Sequence, residues 1–134
     1  MRRKALRFSD LQSCATAIVD NWQRIRFYRR RIPAFECVPG CHDCCGPVTT
    51  SSEEMARLPE KSGPEREQAL EAWRCVHLGD AGCQAYEERP LICRLFGTTE
   101  ALRCPRGRRP ESLTPADIEA RITGFMRGTR QILV

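Results

Sequence analysis

Apolar residues return at helical spacing near both ends of the chain, and no segment shows the strict alternation of a half-buried strand. Over 9–31, Leu11, Ala15, Ile18, Val19, Trp22 and Ile25 recur every three or four residues, which predicts an amphipathic helix. Ser9 or Asp10 is placed to cap it, and Pro33 marks its end. At the other end, Thr114-Pro115-Ala116-Asp117 reads as an N-cap, a proline at the first helical position and an acid in the first turn. The helix expected there, over 114–133, carries Ile118, Ile122, Phe125 and Met126 on one face.

The middle is punctuated by turn residues. Ser51 and Ser52 before Glu53 and Glu54 predict a short helix leading to Met55 and Leu58, and Pro59, Gly63 and Pro64 then break the pattern. Residues 65–74, with Ala69, Leu70 and Trp73, read as another helix. Gly79 and Gly82 bracket a tight turn, and Pro90 opens a short helix holding Leu91, Ile92, Leu95 and Phe96. Residues 105–113 are polar, basic and proline-containing, hence a loop. The expected architecture is small and mainly α, as one domain over residues 1–134. It has an N-terminal amphipathic part (1–34), a cysteine-rich body (35–104) and a C-terminal helix (114–133). Two terminal helices and short helices would pack around a loop-rich, cysteine-ligated metal core.

The 134 residues, 41% hydrophobic and 29% charged, have the composition of a soluble globular domain. No apolar run approaches the roughly 20 residues that cross a bilayer. Met1-Arg2-Arg3-Lys4 resembles the start of a signal peptide, but Arg7, Asp10 and Asp20 interrupt any apolar stretch after it. The expected location is therefore the cytoplasm, where disulfides are rare and clustered cysteines more often bind metals or serve redox chemistry. The formal net charge of +5 rests on two arginine patches. One is Arg24, Arg26, Arg29, Arg30 and Arg31, and the other is Arg103, Arg106, Arg108 and Arg109. Such patches can meet nucleic acid, although a solvated face is the commoner explanation.

Eight of the nine cysteines fall between residues 37 and 104. Cys37, Cys41, Cys44 and Cys45 lie within nine residues, so one folded turn can aim several sulfurs at one centre. Pro39, Gly40 and Gly46 supply the backbone freedom for that turn. Thiolates are soft ligands that suit zinc and iron–sulfur clusters. Cys75, Cys83, Cys93 and Cys104 are widely spaced and join the first four only if the fold returns them. Cys14 reads as a buried small hydrophobe. Adjacent Cys44 and Cys45 could alternatively form a redox pair, and in an exported protein the eight could form disulfides.

The string Gly82-Cys83-x-x-Tyr86-Glu87-x-Arg89-Pro90-x-x-Cys93-Arg94-x-Phe96 carries a family resemblance. Cys41-x-x-Cys44-Cys45, Ser52-Glu53-Glu54 and Cys75-Val-His-Leu carry it too. Over residues 35–104 the chain resembles the CxxCxxCC (YkgJ-type) family of zinc- or iron-chelating domains. The resemblance implies a metal set of Cys37, Cys41, Cys44, Cys45, Cys75, Cys83, Cys93 and Cys104. One departure is that three residues, not two, separate Cys37 from Cys41.

Two zinc ions would take four thiols each, and a [4Fe–4S] cluster would take four. A single tight knot rather than two knuckle pairs favours the cluster, and zinc stays open. The Cys37-x3-Cys41-x2-Cys44 spacing also matches a radical-SAM motif, but the chain is too short for the barrel such enzymes need. His42 lies inside the knot, where it could ligate or orient a ligand. His77 is expected to pack or to hydrogen-bond, and Tyr86 to join the core. Arg89 and Arg94 could favour thiolates beside them, or pair with Glu87, Glu88 or Asp80. No Ser/His/Asp arrangement, phosphate loop or paired carboxylates stand out, so the reading leans away from an enzyme. Three function classes remain: a protein holding a cluster or zinc, an electron-transfer or redox module, and a zinc-stapled adaptor binding nucleic acid or protein through its arginines.

Overall fold

The computed structural model describes residues 21–35 and 37–133. Cys14 and the apolar positions Leu11, Ala15, Ile18 and Val19 lie outside the described residues.

Helix α1 (Asn21–Arg31) turns Ile25 and Tyr28 inward, and it stops two residues before Pro33, which cannot continue it. Strand β1 (Thr49–Ser51) runs directly into α2 (Ser52–Met55), which Ser51 caps by accepting from the Glu54 amide. Helix α3 (Gly63–Glu71) begins earlier than 65, the start that its sequence predicts. The Ser62 hydroxyl accepts from the Glu65 amide (3.2 Å), and the Glu65 carboxylate accepts from the Ser62 amide (2.8 Å). Gly63 and Pro64 thus sit inside the first turn of a capping box instead of breaking the chain. The helix buries none of its side chains; Leu70 is exposed, and so is Trp73 just beyond its end.

Strands β2 (Leu78–Gly79) and β3 (Gly82–Cys83) form a two-residue hairpin that pairs Leu78 with Cys83. A 3-10 turn (Tyr86–Glu88) follows, then α4 (Leu91–Leu95) immediately after Pro90. Helix α5 (Ala116–Gly128) presents Ile118, Ile122 and Phe125 inward as expected. Its predicted cap is corrected: the Thr114 hydroxyl donates to Thr98 Oγ1 (3.0 Å) and caps nothing. The predicted helix to residue 133 also ends early, at Gly128. Residues Gln131–Leu133 form β4, which pairs antiparallel with β1 through Thr50 opposite Ile132.

The expectation of a mainly α protein is therefore corrected to short helices accompanied by two small antiparallel strand pairs. Closing β1 on β4 satisfies backbone groups that a frayed helix end would leave unpaired.

The main core joins α1, α4 and α5 through Ile25, Tyr28, Ile32, Leu91, Leu95, Ile118, Ile122 and Phe125. Tyr28 packs edge-on against Phe125 with ring centroids 5.8 Å apart. A smaller cluster of Leu58 and Ala85 packs with Val48, Met55, Val76, Cys75 and Cys83. Glu54 links the two sides. Its carboxylate is buried, accepts from Thr50 Oγ1 (2.5 Å), and accepts from the amide of Leu91 (3.0 Å) at the start of α4. That bond satisfies one of the free N–H groups at the helix start and fixes the helix that carries Cys93.

Candidate metal centre

The cysteine knot is built from two consecutive turns. Val38-Pro39-Gly40-Cys41 closes with the Cys41 amide donating to the Val38 carbonyl (2.9 Å). Proline second and a glycine at φ +72° third are the residues a type II turn requires. His42-Asp43-Cys44-Cys45 closes the next turn through the Cys45 amide and the His42 carbonyl (2.8 Å).

Two contacts dock the knot. A Cβ placed on Gly82 (φ +108°) would lie 3.5 Å from Gly40 Cα, so the knot and the β2–β3 hairpin meet backbone to backbone. Asp43 also accepts from Arg106 Nε (2.7 Å), which ties the knot to the turn after Cys104.

The result is one cavity of about 770 Å³ with Cys37, Cys41, Cys44, Cys45, Cys75, Cys83 and Cys93 on its walls. Four chain segments that are far apart in sequence supply these seven thiols. Phe35, Val38, Val48, Leu58, Ala85 and Phe96 complete much of the lining, and Arg89 and Arg108 add positive charge. Cys104, the eighth cysteine expected to ligate, stands beside this cavity, close enough to Cys37 to raise its pKa. It lines a neighbouring cleft with Gly107, Arg108 and Arg109. All eight described cysteines are free thiols. Among the described residues, no three Cys, His, Asp or Glu side chains stand in a geometry that would hold a metal ion directly. The donors are distributed around the cavity wall.

The environment divides the thiols. The Cys45 thiol donates to Cys44 sulfur, which lowers the Cys44 pKa to about 6 despite partial burial, with help from its own amide and from Arg89. Cys45 is raised by the same bond and by burial. Burial beside Cys75 and Cys83 pushes Cys93 up to about 12. Cys75 and Cys37 are also raised by burial. The Cys75 sulfur nevertheless accepts from the amides of His77 and Leu78, bonds that favour a thiolate there.

Arg89 lowers the pKa of Cys37, Cys44 and Cys93, which is one of the two roles its position in the sequence allows. It donates to the Tyr86 carbonyl (3.0 Å) and stacks over the Tyr86 ring at 3.8 Å. Tyr86 is 42% exposed, so its predicted place in the core is corrected. Arg94 has a scaffolding role, donating to the carbonyls of Arg89 (2.8 Å) and Glu87 (2.7 Å). Glu88 pairs with Arg29 (3.2 Å).

The two histidines lie in opposite environments. His42, inside the knot, is exposed and is not on the cavity wall. His77 contributes to the lining and is only 2% exposed, and among the described residues neither ring nitrogen has a hydrogen-bond partner. Leaving a buried polar atom unpaired costs about 1–3 kcal/mol, so this side chain needs an explanation. Its burial agrees with the expectation that it packs, but the hydrogen bond that was the alternative is absent among the described residues. The sequence signal for it was its place in Cys75-Val-His-Leu, next to the hairpin that returns Cys83.

Much of the arginine surface is engaged internally. Arg24 lies over Phe125 (4.9 Å), Arg31 over Phe27 (4.8 Å), and Arg29 and Arg57 over Trp22 (4.9 and 3.7 Å). Arg103 pairs with Glu100. Among the described residues, no helix is long and apolar enough to cross a membrane.

The chemistry of this donor set fits a soft or borderline cation: seven thiols, one unpartnered imidazole and two arginines surround one cavity. No curated protein and no solved structure matches the chain. A family match covers residues 36–117, from just before the knot through the loop after Cys104 into α5, and on it the chain belongs to the CxxCxxCC family, whose description is "Putative zinc- or iron-chelating domain".

Proposed function

We propose that this protein holds an iron–sulfur cluster, of the [4Fe–4S] type, in the cysteine-lined cavity. The observation that carries the reading is the convergence of seven thiols from four separate segments on one cavity of about 770 Å³. A cluster is held by thiolates at several separate irons, so donors spread around a wall suit it. A lone zinc ion needs four donors about 2.3 Å from one point, which suits a pair of tight knuckles better.

The residues divide the work. Cys41, Cys44 and Cys45 are presented by the knot, while Cys75, Cys83 and Cys93 form the facing wall. Cys44, with its lowered pKa, is the thiol best prepared to engage a cation first. The amides of His77 and Leu78 hold charge on Cys75, and Arg89 offsets the negative charge that thiolates accumulate. Phe35, Phe96 and Leu58 exclude water from part of the wall. A bound cluster would supply one-electron chemistry or an iron store. The stacked and paired arginines support a structural use of that surface, which sets the nucleic-acid adaptor behind this reading.

The test is cysteine footprinting by alkylation and mass spectrometry, on protein purified without oxygen, before and after chelation. The reading expects a set drawn from both the knot and the Cys75–Cys93 wall, at most four thiols for one [4Fe–4S] cluster, to be protected together and released together, with bleaching of visible colour. Uniform alkylation in both states would contradict it.

A further inference from the structure

Both nitrogens of a neutral imidazole must be satisfied, one as a donor and one as an acceptor. His77 satisfies neither, although it is among the most deeply buried polar residues described. Its neighbours explain its position but give it no partner. Its carbonyl accepts from the Gln84 amide (2.8 Å), which locks it beside the β2–β3 hairpin. Its amide donates to Cys75 sulfur, so its backbone already serves the cavity. Cys75, Cys83 and His77 all contribute to the lining of one cavity, and the two ring nitrogens, which have no accessible surface, reach it by a turn of the side chain.

Resting on the metal-centre reading, we infer that His77 is a nitrogen ligand of that centre, which makes the ligand set mixed cysteine and histidine. One ring nitrogen then gives its lone pair to the metal. The other N–H then needs an acceptor, and the thiolates of the same cavity supply one, since thiolate sulfur accepts hydrogen bonds. A cation bound by thiolates therefore meets both unmet needs of the ring at once. A neutral nitrogen in place of a fourth thiolate also removes one negative charge from a cavity lined by Arg89 and Arg108, and it stays neutral beside Lys61 and Arg66, which disfavour a second proton on the ring. Mixed Cys and His sets are chemically ordinary for zinc, and imidazole also replaces cysteine at some iron–sulfur centres. His42, the histidine inside the knot, is exposed and off the cavity wall, so the inference selects one of the two histidines.

X-ray absorption at the metal edge of the full-length protein, as purified and after loading with cobalt(II), tests this. The expected result is a nitrogen scatterer with the outer-shell pattern of an imidazole ring in the wild type. His77→Ala should lose that pattern and weaken cobalt(II) binding by at least about tenfold. His77→Cys should keep the metal with sulfur-only scattering, and His42→Ala should match the wild type. Sulfur-only scattering in the wild type would overturn ligation by His77 and leave the metal centre standing. An imidazole pattern that persists in His77→Ala would overturn it as well. Wild-type protein that carries no metal and takes up no cobalt(II) would overturn the metal reading and this inference together. The wild-type spectrum requires no variant, so a poorly folded His77→Ala does not blunt the test.

Discussion

Ile25, Leu91 and Ile122 in the helical core are at most 1% exposed, whereas every described cysteine keeps some exposure and Cys44 and Cys45 are open to solvent. The two sides of the molecule are thus held differently. The core of α1, α4 and α5 is stabilised by apolar burial and close packing, worth roughly 1.5–3 kcal/mol for each fully buried large side chain. The cysteine side has a small apolar cluster, two-residue strands and a run of turns. Local bonds define the shape of each turn there, but little buried area holds the turns to one another. A centre that bridges the knot to the Cys75–Cys93 wall would provide that connection, because binding free energy at a structural metal site is also folding free energy.

The largest effect should come from cutting that bridge. Cys44→Ser and Cys45→Ser are each expected to lose most bound metal and to lower the melting temperature. Elemental analysis with thermal unfolding checks both, and unchanged metal and Tm in both variants would remove the distinction between the two sides.

Acid should act on the same side alone. Cys45, Cys75 and Cys93 have raised pKa values, so they hold protons near neutral pH and must release them to bind. Falling pH returns those protons and weakens binding, while Cys44 stays ionised down to about pH 6. Cobalt(II) titrations should therefore show affinity rising between about pH 6 and 8 with proton release. A pH-independent affinity would contradict the assignment of these thiols as ligands.

The complementary cut is Ile122→Ala. A buried large-to-small change costs about 2–5 kcal/mol. Denaturant unfolding should show that loss while metal per folded molecule stays near the wild-type value. Glu54→Ala should cost less, about 2 kcal/mol, by leaving the Leu91 amide and Thr50 hydroxyl unpaired. Because Glu54 links β1 to the helix carrying Cys93, it should also weaken metal retention, which separates it from Ile122→Ala. The smallest change expected is at Trp73, which is 75% exposed and has φ +52°. Trp73→Gly should stabilise by up to about 1 kcal/mol, because a bulky side chain is strained in that region. A shift in the denaturation midpoint without a change in metal content would confirm it.

The helical side was largely legible in the sequence, because its signals are local. Ile118, Ile122 and Phe125 follow the helix period, and Pro90 announces α4. The turns of the knot were legible for the same reason, through Pro39 and Gly40. What was hidden depends on distant pairing. Strand β4 is three residues long, too short for alternation to register, and it exists because β1 meets it. The capping box at Ser62 and Glu65 was masked by the adjacent Gly63 and Pro64. The grouping of Cys75, Cys83 and Cys93 with the knot follows from a glycine contact across more than 40 residues, and the approach of Cys104 to the knot follows from the turn that Arg106 anchors on Asp43. His77 mattered only once its burial and unmet bonding were visible together.

The most direct measurement of the central claim is iron, zinc and acid-labile sulfide analysis with an ultraviolet–visible spectrum, on wild-type protein purified without oxygen. The account predicts iron and sulfide in near-equal amounts, with a broad absorption near ~400 nm that bleaches on reduction. Stoichiometric zinc without iron or sulfide, or protein that contains neither metal with its cavity thiols oxidised to disulfides, would contradict it.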